Sequence, residues 1–304
     1  MRIDDSADPA NSSKPSDSSH LPHLSHSQFP ILNPQSPILN PQSPILNPQS
    51  AIPNPQSYAV YLATRPPEAE VEAVRMMIRL ATEFGVRTHI VHVAAAGAID
   101  EIASARATGV PITAETCPHY LTFAAEDVPD GATAFKCAPP IRESPHRDAL
   151  WDGLLRGTLD LVATDHSPAP PALKCPGDFL RAWGGIASLE LSLAATCTAA
   201  SAFAGARGVQ VSVWDLARWM SGAPAALAGL ADRKGAIAPG RDADLIVWDP
   251  EAVFTVEPAA LQQRHKLTPY AGRRLNGVVR TTFVRGEPVW DEGRLNRSGG
   301  GRLL

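Results

Sequence analysis

The sequence has 304 residues, and its 27 Lys and Arg against 31 Asp and Glu give a formal net charge of −4. This near balance argues against a protein that binds nucleic acid through bulk positive charge. We expect no membrane-spanning helix, because no uninterrupted apolar run reaches roughly 18 residues, and residues 1–30 lack the apolar core of a secretory signal. The four cysteines form no CxxC pair, so we expect neither a disulfide scaffold nor a structural zinc clip, and a cytoplasmic location.

Residues 1–57 form a tail with its own composition. They contain 11 of the 29 prolines, and the tetrapeptide NPQS recurs every seven residues at 33–36, 40–43, 47–50 and 54–57. Proline in every copy excludes a coiled coil, since proline lacks the amide hydrogen and clashes with the preceding helical turn. We therefore predict a disordered or polyproline-like tail. It could act as a linker or a proline-rich ligand, and we favour low-complexity sequence without a function of its own.

Residues 58–240 alternate between helical and strand patterns. Apolar residues at three- and four-residue spacing predict a helix from Pro67 that ends at Gly85. The further predicted helices cover 98–107, 146–156, 186–204, 212–221 and 222–230, and the predicted strands cover 88–94, 112–117 and 160–165. Because these strands are apolar without alternation, they predict a buried parallel sheet in an α/β fold.

The pattern of predicted elements changes after Gly240. Segments 243–248, 278–284 and 287–290 read as strands with little helix between them. We predict a separate small β-unit over residues 241–304.

Polar residues follow the predicted strands of the first unit. His92, His119 and Asp165 each come close to a strand end, where α/β barrels place their chemistry. Imidazole and carboxylate are common ligands of catalytic divalent metals, so these three side chains are candidate ligands. By pattern alone, His89 is a hydrogen-bonded core residue, His166 points away from the site, and Asp165 could be a simple turn cap.

Six fragments give the chain a family resemblance. In order they are HIVHVA, ETCPHYL, KCAPPIR (136–142), ATDHSP, WGGIASLE (183–190) and KGAIAPGRDADLIVWD (234–249). They resemble the cyclic amidohydrolases of the amidohydrolase superfamily, which include dihydroorotases, hydantoinases and allantoinases. RHKLTPYAGRRLNG (264–277) and HSPAPPALK (166–174) are most similar to the allantoinase branch.

The resemblance implies a site and a reaction. His92 would be a metal ligand after the fifth barrel strand, His119 after the sixth and Asp165 after the eighth. Asp165 would also act as general base in metal-assisted hydrolysis of a cyclic amide. The main chain at Ala138 would contact the substrate, and Gly184-Gly185 would play a similar role.

The implied cofactor is a divalent metal, most often Zn²⁺, with Co²⁺, Mn²⁺ and Fe²⁺ as alternatives. The implied substrate is a small cyclic amide or ureide such as allantoin, opened to allantoate in purine catabolism.

The family pattern is incomplete in this sequence. A His-x-His pair and a carboxylated bridging lysine belong to the family site, but no His-x-His occurs, and Lys136 lies in the later KCAPPIR segment. Residues 58–240 comprise 183 positions, against about 250 for a whole barrel. We therefore expect the C-terminal half of a metal-dependent-hydrolase TIM barrel plus part of a β-sandwich, with impaired activity.

The sequence leaves two other hypotheses for the function open. One is a dihydroorotase or hydantoinase. The other is a non-catalytic fragment or assembly partner, which could form a homo-oligomer or be completed by a separate N-terminal half.

Overall fold

The structure is a computed structural model that describes residues 54–296. Its α-helices are α1 (Tyr58–Ala63), α2 (Pro67–Phe84), α3 (Ala96–Ala107), α4 (Pro118–Thr122), α5 (Ser144–Arg156), α6 (Ser192–Arg207), α7 (Val213–Ala217) and α8 (Ala223–Leu227). Its strands are β1 (Thr88–Ile90), β2 (Ile112–Thr116), β3 (Leu161–Val162), β4 (Leu245–Thr255), β5 (Arg274–Val284), β6 (Glu287–Asp291) and β7 (Arg294–Leu295).

The last NPQS copy is ordered. Asn54 lies in the left-handed region with φ 62°, and the backbone amide of Ser57 donates to its carbonyl at 3.1 Å. The carbonyls of Pro55 and Gln56 accept from the amides of Phe179 at 2.9 Å and Gly131 at 2.7 Å. Residues 54–57 therefore make backbone contacts with the rest of the fold. Residues 1–53 of the predicted disordered tail lie outside the described residues, and the tail over 1–57 stays a prediction.

Three parallel strands with intervening helices form the first sheet. The strand order is β1-β2-β3, with Thr88 opposite Ile112 and Glu115 opposite Leu161. Helix α2 begins with Pro67 in its first turn and ends at Gly85, whose φ of 62° suits a residue without a Cβ. The predicted α/β class with a parallel sheet is confirmed.

The parallel strands are shorter than their apolar runs suggested. β1 stops at Ile90 and β3 at Val162. Beyond these ends, His92 and Asp165 adopt φ values of 43° and 44°. These left-handed conformations break the extended backbone, so the chain leaves the sheet where the polar side chains begin.

Helix α6 packs against α4 and β5. By length and composition alone, Leu189–Arg207 could cross a membrane, but half of this stretch is buried inside the fold, as in the core helix of a soluble protein. Its Phe203 ring stacks on Trp151 of α5 at 5.5 Å between centroids. The indole of Trp151 also donates to the carbonyl of Leu121 at 3.2 Å, so this aromatic contact joins α5 and α6 to the end of α4.

The C-terminal strands form an antiparallel sheet in the order β4-β5-β6-β7. Val247 lies opposite Thr281, and Val284 opposite Glu287 across a tight turn. This sheet starts after residue 240, where the sequence pattern changes from alternating helices and strands to strands. The exact division into units 58–240 and 241–304 stays a prediction.

Candidate metal centre

Side chains from two strand ends converge beyond the parallel sheet. His119 lies in the first turn of α4, which follows β2, and Asp165 follows β3. The ligand atoms of Cys117, His119 and Asp165 all lie within 4.8 Å of one another. Because the carboxyl ends of neighbouring parallel strands meet at one edge, this cluster arises directly from the strand order.

His119 is the most deeply buried member of the cluster. Its side chain has no exposed surface, and neither ring nitrogen has a hydrogen-bond partner among the residues the structure describes. Burial, helped by His92 and Lys174, lowers the pKa of His119 to about 3. A neutral imidazole with an unsatisfied lone pair suits a metal ligand, since an unpaired buried polar atom is otherwise costly.

Asp165 and Cys117 are the other two members of the cluster, and burial raises the pKa of both side chains. Burial raises the pKa of Asp165 above its ordinary value, while His92 opposes this shift. Burial, with Asp165 and Glu115, raises the pKa of the Cys117 thiol well above its usual range. In the absence of a cation the thiol is therefore neutral. His119 and Asp165 supply the nitrogen and oxygen ligands that a divalent metal prefers.

His92 lies beside this cluster, outside the three converging groups. It is close enough for its charge to act on both His119 and Asp165. His92 and Asp165 are both non-glycine residues with positive φ, a strained conformation that concentrates at functional sites. The two predicted ligands thus share this backbone conformation, and their role as metal ligands stays a prediction.

The strand numbering expected from the family needs correction. β2 is hydrogen-bonded directly to β3, so His92, His119 and Asp165 follow three successive neighbouring strands. An assignment to the fifth, sixth and eighth strands would require another strand between β2 and β3. If Asp165 follows the eighth strand, His119 follows the seventh and His92 the sixth.

The two other histidines of these motifs have structural contacts instead. The His89 ring is hydrogen-bonded to Thr113 at 2.8 Å and to Glu115 at 3.0 Å. The Nδ1 atom of His166 accepts from the backbone amides of Ser188 and Leu189. These contacts agree with the interpretation of His89 as a hydrogen-bonded residue, and the predicted orientation of His166 away from the site stays a prediction.

The predicted substrate-contacting residues lie against each other. A Cβ on Gly184 would lie 3.8 Å from the Cβ of Ala138. Gly185 donates its amide to the Lys136 carbonyl at 2.9 Å, and a Cβ there would lie 2.3 Å from the Ser167 hydroxyl. Gly185 is therefore required by close packing on the segment that follows Asp165.

Two buried lysines reinforce this region. The ammonium of Lys174 donates to the carbonyls of Lys136 at 3.2 Å and Trp183 at 3.1 Å. Lys136 donates to the Ala182 carbonyl at 2.6 Å. Burial lowers the pKa of both lysines, that of Lys174 to about 8. They join residues 136–138 to residues 182–185 through main-chain carbonyls.

An open cavity of about 610 Å³ lies beside α2, β1 and the 138–142 segment. Its lining includes His92, Ala138, Glu70 and Arg142. The volume suits a small molecule, and the site residues His92 and Ala138 face it together.

Two residues of this region, Cys117 and Lys174, were not predicted from the sequence. Cys117 was visible two residues before His119 in ETCPHYL, although its closeness to Asp165 depends on the pairing of β2 with β3. Lys174 lay within HSPAPPALK, but nothing in that motif indicates a buried ammonium.

Comparisons with known proteins show the family of this chain. The model of the amidohydrolase family matches residues 70–289, and the chain belongs to that family. It is 49% identical to an allantoinase from Streptomyces avermitilis over 81% of this chain and 54% of that protein. It is 42% identical to an allantoinase from Arabidopsis thaliana, over 78% of this chain and 48% of that protein.

Solved structures show the same fold. An L-hydantoinase (dihydropyrimidinase) from Arthrobacter aurescens superposes with a TM-score of 0.72 at 30% identity, over 79% of this chain and 52% of that chain. The chain thus spans about half the length of the relatives it matches. The fold and family expected from the six fragments are confirmed.

Proposed function

We propose that this chain carries an allantoinase-type site, which opens the hydantoin ring of allantoin by hydrolysis to give allantoate. The observation that carries the proposal is the closeness of the Asp165 carboxylate to the buried His119 ring, whose nitrogens have no hydrogen-bond partner among the described residues. It is made in a chain 49% identical to an allantoinase over 81% of its length. A cytoplasmic location in purine catabolism is part of this proposal.

Three residues would bind the metal, and one of them would also transfer a proton. His92, His119 and Asp165 would hold a divalent metal, for which Zn²⁺ is our first choice and Co²⁺, Mn²⁺ or Fe²⁺ are alternatives that accept the same ligands. When bound, such a metal polarises a carbonyl and lowers the pKa of water. Asp165 would take the proton of the attacking water and return it to the leaving ring nitrogen.

The main chain would place the substrate. Ala138 is exposed at the cavity and Gly184 lies against it, so a small ring could contact both. Because Gly185 packs on Ser167 next to Asp165, this contact would set the distance between the ring and the general base. We propose a small cyclic amide or ureide as the only substrate class.

A second candidate function is that of a hydantoinase or dihydroorotase. It is favoured by the structural similarity to hydantoinases at 30% identity. The higher identity to allantoinases keeps allantoin as our first substrate. As partners of this site we propose a second copy of the chain or a complementing chain.

The test is a comparison of three substrates. Purified chain dialysed against Zn²⁺ is incubated with allantoin, hydantoin and dihydroorotate, and product is measured by chromatography. We expect allantoate formation that Asp165→Asn abolishes and His89→Gln leaves largely intact. Turnover of dihydroorotate or hydantoin alone would favour the second candidate, and no turnover of any ring would overturn the proposal for the lone chain.

A further inference from the structure

Three tyrosine hydroxyls donate to alternate carbonyls of one short segment. Tyr61 donates to the carbonyl of Cys137, Tyr120 to that of Pro139 and Tyr58 to that of Ile141, each at 2.7 Å. The three donors come from two separate helices, α1 and α4. Such convergence on residues 137–141 is not produced by local sequence and fixes the main chain from outside.

The tyrosines themselves are immobilised. Their exposures are 2% for Tyr58, 0% for Tyr61 and 2% for Tyr120. The rings of Tyr58 and Tyr61 both pack on Phe179, at 5.2 and 6.1 Å between centroids. The Tyr120 hydroxyl also contacts the Cys137 side chain, within the same segment. Because the three rings are buried and closely packed, their hydroxyls are held in place against residues 137–141.

Ala138 differs from its neighbours in exposure and in hydrogen bonding. It is exposed while Cys137 and Ile141 are buried. Within residues 54–296 its own N–H and C=O have no protein hydrogen-bond partner. It also lines the cavity beside His92. The segment is thus held at the carbonyls around Ala138, and the donor and acceptor of Ala138 itself are not used by the protein.

We propose that Tyr58, Tyr61 and Tyr120 are positioning residues that fix the 137–141 main chain, so that Ala138 presents its N–H and C=O to the substrate. This inference rests on the proposed function. The matching ligand class is a ring that carries an amide N–H and C=O of its own, since donor and acceptor are then both satisfied. The tyrosines touch only the protein, and they act through the orientation of one peptide segment.

The kinetic test removes one hydroxyl at a time. Tyr61→Phe and Tyr120→Phe keep the ring and lose the donor. Tyr270→Phe is the matched control, because Tyr270 is also fully buried but its hydroxyl has no hydrogen-bond partner among the described residues. For allantoin we expect KM to rise about tenfold with kcat changed by less than about twofold, since the lost contact binds ground and transition states alike. Equal KM values in Tyr61→Phe and wild type would overturn the inference.

A second readout does not depend on turnover. In labelled protein, NMR follows the Cys137 carbonyl resonance and the Ala138 amide resonance, which belong to the same peptide group. We expect Tyr61→Phe to move both resonances, because that peptide group loses its hydroxyl donor, with no change in Tyr270→Phe. An unaltered Ala138 amide in Tyr61→Phe would refute the positioning role. If wild type neither binds nor hydrolyses any ring ureide, the proposed function fails while this readout still decides the role of the tyrosines.

Discussion

The ion pair between Glu70 and Arg142 gives the most quantitative stability prediction. Its side chains are 11% and 3% exposed, with the closest atoms 2.9 Å apart. The other carboxylate oxygen of Glu70 accepts the backbone amides of Ala94 at 2.7 Å and Ala95 at 2.9 Å. One carboxylate from α2 therefore satisfies the start of α3 and neutralises an arginine at the end of the KCAPPIR segment.

Glu70→Ala should be strongly destabilising. It leaves the buried charge of Arg142 without a carboxylate, with only the Arg65 carbonyl as acceptor. It also removes the acceptor of two amides at a helix N-terminus. Breaking a buried pair by removing one partner costs about 3–5 kcal/mol. We expect a loss in this range, measured as the free energy of unfolding in urea at pH 7.

A control and a rescue sharpen this experiment. Glu72 lies on the same helix and pairs with Arg75, but its side chain is 64% exposed, so Glu72→Ala should cost less than about 1 kcal/mol. Replacing both partners, as Glu70→Leu with Arg142→Met, should recover part of the loss, because no uncompensated charge remains. A loss below about 1 kcal/mol in Glu70→Ala would refute the reasoning.

Two further predictions concern other parts of the fold. Gly185→Ala should cost about 1–3 kcal/mol in urea unfolding, because the new Cβ overlaps Ser167, whereas Gly205→Ala within α6 meets no atom within 4 Å and should stabilise by about 0.5–1 kcal/mol. Hydrogen bonds from Ser212, at the start of α7, hold the pKa of Asp215 below its ordinary value. The stabilisation by Asp215 is therefore present above the unfolded-chain pKa of about 4 and disappears as the pH falls through the folded-state pKa. Asp215→Ala should lower the free energy of unfolding by about 1 kcal/mol at pH 7 and leave it unchanged in stronger acid. Equal losses of stability in the two glycine variants would contradict the first prediction. An Asp215→Ala effect that does not depend on pH would contradict the second.

Local sequence patterns predicted the elements that depend on local physics. The spacing of apolar residues and the terminal glycine placed α2 closely, and the apolar runs identified the three parallel strands. The positions of His119 and Asp165 at strand ends also followed, because the carboxyl ends of parallel strands share one edge.

Other features depend on contacts distant in sequence. Nothing near Glu70 indicates that it meets the amides of Ala94 and Ala95. Likewise, the early end of β1 follows from the positive φ of His92, which the apolar run 88–94 does not reveal. The strand numbering went wrong for a related reason, since the family pattern gave no count of strands between β2 and β3.

The most direct test of the central claim is the zinc content of the purified chain by elemental mass spectrometry, after loading and dialysis. The account predicts about one equivalent in wild type and in His89→Gln, because the His89 nitrogens are bonded to Thr113 and Glu115. It predicts loss of that zinc in His119→Ala, which removes the buried unpartnered imidazole. Wild-type zinc well below one equivalent, or equal retention in His119→Ala, would contradict a metal centre at His92, His119 and Asp165.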